Sequence, residues 1–474
     1  MEVYHLKNYK YLLKNIGLLT ISQFGTKFLS FFLVPLYTSF LTTTEYGIYD
    51  VINTTISLLI PICTLNIMQS VMRFSLEKNS DKTAIFSIGI KIYAIGFFIV
   101  SLFTMINKQF NFIPIISEYA VYFVLIFICF SLQELLVNFA RGLNNVLVIS
   151  ISGILNTCLT VFFNILFLVV LRLSLVGYFL ACILGTIGTI IYLAVQLKVW
   201  KYLRFSVKNL TLKQEMLAYS IPLILNSIAW WINNASDRYI IIMLCGIASN
   251  GIYSVAYKIP NILNIFQTIF NQAWVLSTVD NYDKDDTNGF FSNTYNVYNF
   301  GMVALCSLLI ISTKVLAHFL YAKDFYNAWI YVPFLSIAII FGAMSGHIGG
   351  IFSAVKNSKI FSYTTTVGAI LNLILNYILV KRFGAIGAAV ATTISYYVVW
   401  LTRLFFVKKY ITLKINLLRD HLAYLMLLAQ TFLILFFEST IWIYSLEVMI
   451  FIIIMIMYKD ILLRGLEIIK VKLK

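Results

Sequence analysis

The sequence predicts an all-α polytopic membrane protein of about fourteen transmembrane helices, in two pseudo-symmetric six-helix lobes followed by two further helices. Three observations lead there. Of 474 residues, 61% are hydrophobic and 11% charged, and the mean hydropathy is +0.89, whereas soluble domains are ~45–50% apolar and ~25% charged. Apolar runs long enough to cross a bilayer, which takes ~20 residues each, follow one another with short polar breaks. Polar stripes and short motifs also recur between the two halves of the chain at a nearly constant offset.

In chain order the apolar runs, spans 1 to 14, fall at about 16–40, 46–72, 84–106, 114–138, 148–171, 175–197, 217–244, 250–277, 290–312, 326–351, 360–380, 384–402, 420–437 and 443–458. The opening MEVYHLKNYKYLLKN is polar and basic. The run after it is too long for a signal-peptide core and has no convincing cleavage site, so span 1 is expected to stay in the membrane. With the N-terminus inside, inner segments hold 25 Lys and Arg and outer loops six, while Lys27, Lys91, Arg238 and Lys258 lie within spans. Cytoplasmic loops are the ones enriched in these residues, which places both termini in the cytoplasm. The net charge of +16 then forms an inner rim facing anionic headgroups, not a nucleic-acid surface.

The six cysteines stand singly in apolar stretches without a CxxC pair, a pattern of packed small hydrophobes and not of metal ligands or disulfides. No Walker A motif and no Gly-Lys dipeptide occurs, so no ATPase domain is expected. Energy is expected from an ion gradient, the substrate gradient or a partner, with no cofactor.

The internal repeat fixes the expected architecture. Span 5 carries Ser152, Asn156, Thr160 and Asn164, and span 11 carries Thr364, Gly368, Asn372 and Asn376 at an offset of 212. LVGYFLA at 175–181 resembles AIGAAVA at 385–391, offset 210, and EYGIYDV at 45–51 resembles SNGIYSV at 249–255, offset 204. Six spans separate equivalent positions, so both copies enter the membrane in the same direction. This gives an N-terminal lobe over 1–200, a second lobe over 201–410, and two additional helices with a basic tail over 411–474.

A charge at the bilayer centre costs roughly 2.5–3.5 kcal/mol on insertion scales, so an intramembrane charge is a functional candidate by default. Span 1 carries Thr20, Gln23, Lys27 and Ser30 on one face, with Lys27 about midway. Span 2 adds Asn66, Gln69 and Arg73 near its inner end. Span 7 carries Asn226, Asn233, Asn234, Asp237 and Arg238 beside Trp230 and Trp231, and span 8 carries Tyr257, Lys258, Asn261, Asn264, Thr268 and Asn271. Structural roles stand beside these. Asp237 and Lys258 are spaced to form an ion pair, Arg73 and Lys91 to snorkel to headgroups, and the Asn/Thr stripes of spans 5 and 11 to glue helices together. Glu134, followed by Arg141, is a gate or an interfacial pair. His347, within GAMSGHIGG, is a packed or gating histidine, with proton carriage the alternative. Pro61 and Pro260 occupy corresponding spans of the two lobes and are expected to kink them, and Pro35 and Pro222 interrupt spans 1 and 7 similarly.

LVPLYTSFLTTTEYGIYDV at 33–51, SDRYIIIMLCGIASNGIYSVAYKIPNI at 236–262 and GAILNLILNYILVKRFGAIGAAVATTIS at 368–395 resemble the bacterial polysaccharide-transporter, or oligosaccharide-lipid flippase, family. That family belongs to the multidrug, oligosaccharidyl-lipid and polysaccharide exporter superfamily. The resemblance covers spans 1 to 12 and implies a MATE-like, V-shaped pair of lobes around a central cationic cavity. It also implies a non-enzyme of the bacterial cytoplasmic membrane that moves an undecaprenyl-diphosphate-linked oligosaccharide from the inner to the outer leaflet. On that reading Lys27, Arg238, Lys258 and Arg73 meet the diphosphate. Gln23, Asn66, Gln69, Asn226, Trp230, Asn233, Asn234, Tyr257 and Asn261 meet the sugar, and Asp237, Glu134 and His347 serve gating or coupling to H⁺ or Na⁺. The implied partners are the lipid-linked oligosaccharide, membrane lipids and polysaccharide polymerase or assembly proteins, with a monomer as the working unit. A lipid II-type flippase and a multidrug antiporter are the alternatives. An antiporter of organic cations calls for a pore lined by carboxylates, for which Asp237 and Glu134 are the main acidic candidates here.

Overall fold

The computed structural model describes residues 25–26, 31–77, 79–204, 209–280, 282–355, 358–438 and 440–463. Among the described residues every regular element is a helix. The longer α-helices, in order, are α1 (Val34–Phe40), α2 (Thr43–Cys63), α3 (Ile67–Ser75), α4 (Lys82–Phe110), α5 (Ala120–Gly142), α6 (Val146–Asn164), α7 (Ser174–Leu197), α8 (Leu210–Cys245), α9 (Ile247–Ala256), α10 (Asn261–Asp280), α11 (Phe290–Leu320), α12 (Val332–Ala354), α13 (Ser358–Phe383), α14 (Ala385–Val407), α15 (Leu417–Phe436) and α16 (Ile441–Met457). Eleven helices among the described residues are long and apolar enough to cross a membrane, which makes the chain a multi-pass membrane protein.

The spans that carry Pro61 and Pro260 are broken. Pro61 lies in the last turn of α2, and the chain then takes left-handed backbone at Leu65 (φ 52°) and Asn66 (φ 50°) before α3 resumes. The second break, between Ala256 and Asn261, holds Pro260. A proline removes one backbone donor and clashes with the preceding turn, so both spans end one helix and begin another instead of bending smoothly. Pro222, by contrast, lies inside the unbroken 36-residue α8.

Capping sets several other boundaries. Thr42 and Glu45 form a reciprocal capping box at the start of α2, and the Glu45 carboxylate also accepts from the Ser174 hydroxyl at the start of α7. Asp81 accepts from the N–H groups of Thr83 and Ala84, 3.0 Å each, to start α4.

By contacts the chain divides into two compact units, Met1–Ala235 and Ser236–Lys474, the division falling within α8. In the first unit α3 packs on α4 and α5, α5 on α7, and α6 on α7, around Ile52, Ile56, Phe86, Phe123, Phe127, Phe139 and Phe179. The opposite faces are apolar too. Phe98, Leu102 and Met105 of α4 are 69, 60 and 71% exposed, the i, i+4, i+7 stripe of a helix that meets lipid. The first part of α8 is tied into this unit by Trp231 Nε1 donating to Thr54 O (2.9 Å), Asn66 Nδ2 to Ser227 Oγ (3.3 Å) and Ser70 Oγ to Met216 O.

In the second unit α12 lies deepest, with most of its apolar stretch buried. It packs on α10, α11 and α14, and α13 packs on α14. The pair α15 and α16 belongs to this unit and packs on α11. A polar network holds it there. Tyr458 donates to Asp420 Oδ1 (2.8 Å), Asn299 donates to Tyr458 Oη (3.2 Å), Tyr424 donates to Asn299 Oδ1 (2.7 Å), and Arg419 bridges Asp420 (3.0 Å) and Asn296 (2.6 Å). Outside the membrane helices, Thr412 N–H donates to Lys284 O at 2.9 Å, and Asp286 accepts from the N–H groups of Phe291 and Ser292 at the start of α11.

The expected repeat has a packing counterpart inside each unit. A Cβ on Gly177 would lie 3.1 Å from Phe167 O, and one on Gly387, its equivalent at offset 210, would lie 2.3 Å from Leu379 O. In both units the last helix of the repeat thus starts with a glycine pressed on the backbone of the helix before it. The polar stripes bond accordingly. Thr189 Oγ1 donates to Asn156 Oδ1 (3.2 Å) between α7 and α6, and Asn372 Nδ2 donates to Thr392 Oγ1 (3.3 Å) between α13 and α14. At Asn156 and Asn372 the packing role wins, because their amides bond to the neighbouring helix.

Candidate functional site

At 100° per residue, Asn226, Trp230, Asn233, Asn234, Asp237 and Arg238 fall within an arc of roughly 140° on α8. One face of this helix therefore carries the whole polar set. Asn226 and Asn234 are exposed, Asn233 and Arg238 half-buried, and Trp230 is 48% exposed. Asn233 and Asn234 each return one amide hydrogen to the helix backbone, at Ala229 O (3.0 Å) and Trp230 O (2.8 Å).

Asp237, 4% exposed, is the best-held group. Its Oδ2 accepts from Tyr253 Oη (2.8 Å) and Tyr257 Oη (3.1 Å), and its Oδ1 from the N–H of Arg238 (3.0 Å). The two tyrosine rings meet edge to face at 5.4 Å, and the Arg238 guanidinium stands 5.8 Å from the Tyr257 centroid. Charge-assisted bonds of this kind are the strong ones, so the carboxylate fixes two rings, of which Tyr257 lies within reach of the guanidinium. Lys258 and Asn261 follow at the α9–α10 break. Lys258 is half-buried, and Asn261 Oδ1 accepts from Asn264 (2.8 Å). The break thus places Tyr257 and Lys258 in the turn between α9 and α10, and Asn261 at the first residue of α10.

The remaining sequence candidates are dispersed. Gln23 and Lys27 lie outside the described residues. Asn66 is buried at the start of α3 against Ser227, and Gln69 is half-buried one turn on. Arg73 is exposed and paired with Glu77 at 3.1 Å. Glu134 is half-buried, its carbonyl accepting from Asn138, whose own oxygen accepts from Arg141 (3.4 Å). His347 is fully buried, with its ring stacked on Trp274 at 4.0 Å and flanked by Phe270, Tyr295 and Tyr298. Trp274 Nε1 donates to His347 O at 2.8 Å.

Some groups of this kind escape sequence reasoning. Tyr253 sits in the repeated SNGIYSV motif at the position of Tyr49, and only the fold shows that it grips Asp237. Arg403 needs a correction, since the sequence places it in an inner loop just past span 12. It lies inside α14, 5% exposed. It donates to Ser345 O (2.7 Å), Thr365 Oγ1 (2.8 Å) and Thr364 Oγ1 (3.1 Å), over the Phe361 ring at 4.3 Å.

A family profile described as "Polysaccharide biosynthesis protein" matches residues 12–275, more than half of the chain. The chain belongs to the polysaccharide biosynthesis protein family. Similar curated proteins include the probable low-salt glycan biosynthesis flippase Agl15 of Haloferax volcanii, 24% identical over 207 residues, 42% of this chain and 43% of that protein. An uncharacterized membrane protein of Methanocaldococcus jannaschii, MJ1068, is 23% identical over 159 residues, 33% of this chain and 31% of its own length. The matches thus span less than half of either relative. Among solved structures, the lipid II flippase MurJ in an inward closed conformation superposes with TM-score 0.71 at 16% identity, covering 95% of this chain and 99% of that one. An inward-facing multidrug resistance MATE family transporter gives 0.67 at 11% identity, covering 85% and 96%. The family member described here therefore has the MATE-like all-α fold.

Proposed function

We propose that this family member is a flippase that carries an undecaprenyl-diphosphate-linked oligosaccharide from the inner to the outer leaflet by alternating access, coupled to an H⁺ or Na⁺ gradient. The observation that carries the reading is the α8 face with the adjoining break, where Arg238 and Lys258 accompany a single acid, Asp237, whose carboxylate is occupied by tyrosines. A diphosphate leaving water needs cations in place of its hydration, and its sugars need amides and aromatic faces. Arg238 and Lys258, with Lys27, would serve the first need, and Asn226, Trp230, Asn233, Asn234, Tyr257 and Asn261 the second. The relative named a glycan biosynthesis flippase supports the same class of cargo. The working unit is a monomer in the cytoplasmic membrane, with both termini inside and polysaccharide polymerase or assembly proteins as partners. The test is lipid-linked oligosaccharide in cells lacking the protein, complemented by wild type or by a Lys27→Ala, Arg238→Ala double variant at equal expression. Trapped lipid-linked sugar released only by wild type supports the reading. Accumulation of lipid II instead would make peptidoglycan precursor the cargo, and loss of dye efflux without sugar accumulation would replace the flippase by a drug antiporter.

A further inference from the structure

α4 presents a stripe of Ile88, Lys91, Ile92 and Ile95, spaced i, i+3, i+4, i+7 and therefore on one helix face. Together with the start of α8, through Asn209 and Lys213, this stripe lines a cavity of about 240 Å³ within the first unit. That is roughly eight times the ~30 Å³ share of a water molecule, room for a phosphodiester and its first methylenes. Hydrogen bonds fix the walls. Asn209 caps α8, its Oδ1 accepting from the Leu212 N–H at 3.0 Å. Ser87, beside Ile88, donates to Tyr202 O (3.0 Å) and accepts from the Arg204 N–H (2.9 Å), which holds the segment before α8 on α4. Ile88 and Ile92 are buried and Ile95 is 52% exposed, while Lys91 is half-buried and Lys213 exposed. No acid lines the cavity among the described residues.

In the second unit the matching junction is occupied by protein. α4 and α8 begin 208 and 207 residues before α11 and α15, and at those offsets Lys91 and Lys213 correspond to Asn299 and Asp420. There Tyr458 of α16 bridges the two, accepting from Asn299 (3.2 Å) and donating to Asp420 (2.8 Å). In the first unit two lysines stand in place of that pair, and they call for an anion instead of a hydroxyl. The isoleucine stripe makes the anion part of a lipid, since a soluble phosphate would leave it unused. With 29 residues, α4 is about 44 Å long and exceeds the ~30 Å hydrocarbon core, so its first turns stand at the headgroups. On the orientation proposed above this end is the inner one, where basic pockets between spans meet anionic headgroups. We propose that the cavity is a binding site for an anionic phospholipid of the inner leaflet, its phosphate between Lys91 and Lys213 and an acyl chain along Ile88, Ile92 and Ile95. The site is separate from the α8 face assigned to the cargo and does not depend on what that cargo is.

Native mass spectrometry of the purified full-length protein in detergent tests this, with phosphatidylglycerol, phosphatidylcholine of the same chains and inorganic phosphate as probes. Wild type is expected to retain phosphatidylglycerol at least about tenfold more tightly than phosphatidylcholine, and millimolar inorganic phosphate is expected not to displace it. The Lys91→Gln, Lys213→Gln double variant is expected to lose that preference. Lys408→Gln, Lys409→Gln, at two exposed lysines just past α14, is expected to keep it. Equal loss in both double variants, or loss in neither, makes the attraction a property of the basic rim as a whole and overturns the proposal. Displacement by phosphate overturns it in favour of a soluble anion, and absence of any preference in wild type overturns it outright. If the first double variant does not fold, Lys213→Glu, a change at an exposed position, carries the same comparison. Binding is read here without transport or membrane orientation, so failure of this site leaves the flippase reading standing, and failure of that reading leaves the site standing.

Discussion

At the scale of single residues, the second unit spends its hydrogen-bonding capacity on a few buried ions. Tyr253 is fully buried and donates to a carboxylate, so Tyr253→Phe is expected to destabilise by about 1.5–3 kcal/mol, read as a lower unfolding temperature in detergent. Arg403 makes three bonds in a fork that an ammonium cannot reproduce. Arg403→Lys should therefore lower the unfolding temperature more than Arg73→Lys, whose exposed pair with Glu77 is worth ~0–1 kcal/mol. Equal shifts would contradict the buried placement. The sequence singles out Asp237 and Arg238 because charges in an apolar span stand out. It passes over Arg403 and Glu447 because both lie within a turn or two of an apparent span end, where a charge reads as interfacial. Only the packing of a third helix tells burial from exposure at such positions.

At the scale of elements, the spans were legible and their internal breaks only partly so. Length and hydropathy locate α4 and α7 to within four residues at each end and α5 and α14 to within six, since ~20 apolar residues are required to cross hydrocarbon. The prolines mark spans 2 and 8 as special, but a proline alone does not tell a kink from a full break. In the first it is Leu65 and Asn66 at positive φ, and in the second the turn residues 257–260, that end one helix and start the next. The repeat was legible for a physical reason as well, because glycine at 177 and 387 is demanded by backbone contact. Gly387→Ala puts a methyl 2.3 Å from a carbonyl oxygen and is expected to cost about 1–3 kcal/mol as overpacking. Gly301→Ala, inside α11 with nothing within 4 Å, is expected to raise stability by about 0.4–1 kcal/mol, and melting curves of the two variants decide the matter.

At the scale of the whole molecule, the distribution of 35 Lys and Arg predicts orientation. Reporter fusions after residue 112 and after residue 322 should report an outer location, and fusions after residues 204 and 463 an inner one. The reverse pattern would invert the account of which end meets the loaded carrier. Polarity along α8 and the α9–α10 break predicts cargo class, and a reconstituted system tests that most directly. Proteoliposomes carrying a fluorescent undecaprenyl-diphosphate oligosaccharide are probed with a membrane-impermeant sugar hydrolase, comparing wild type with Arg238→Ala. Wild type is expected to expose the inner-leaflet pool and Arg238→Ala to do so at least about tenfold more slowly, a barrier difference of about 1.4 kcal/mol. Protection of that pool equal to protein-free vesicles, with efflux of an organic cation in its place, would contradict the flippase account.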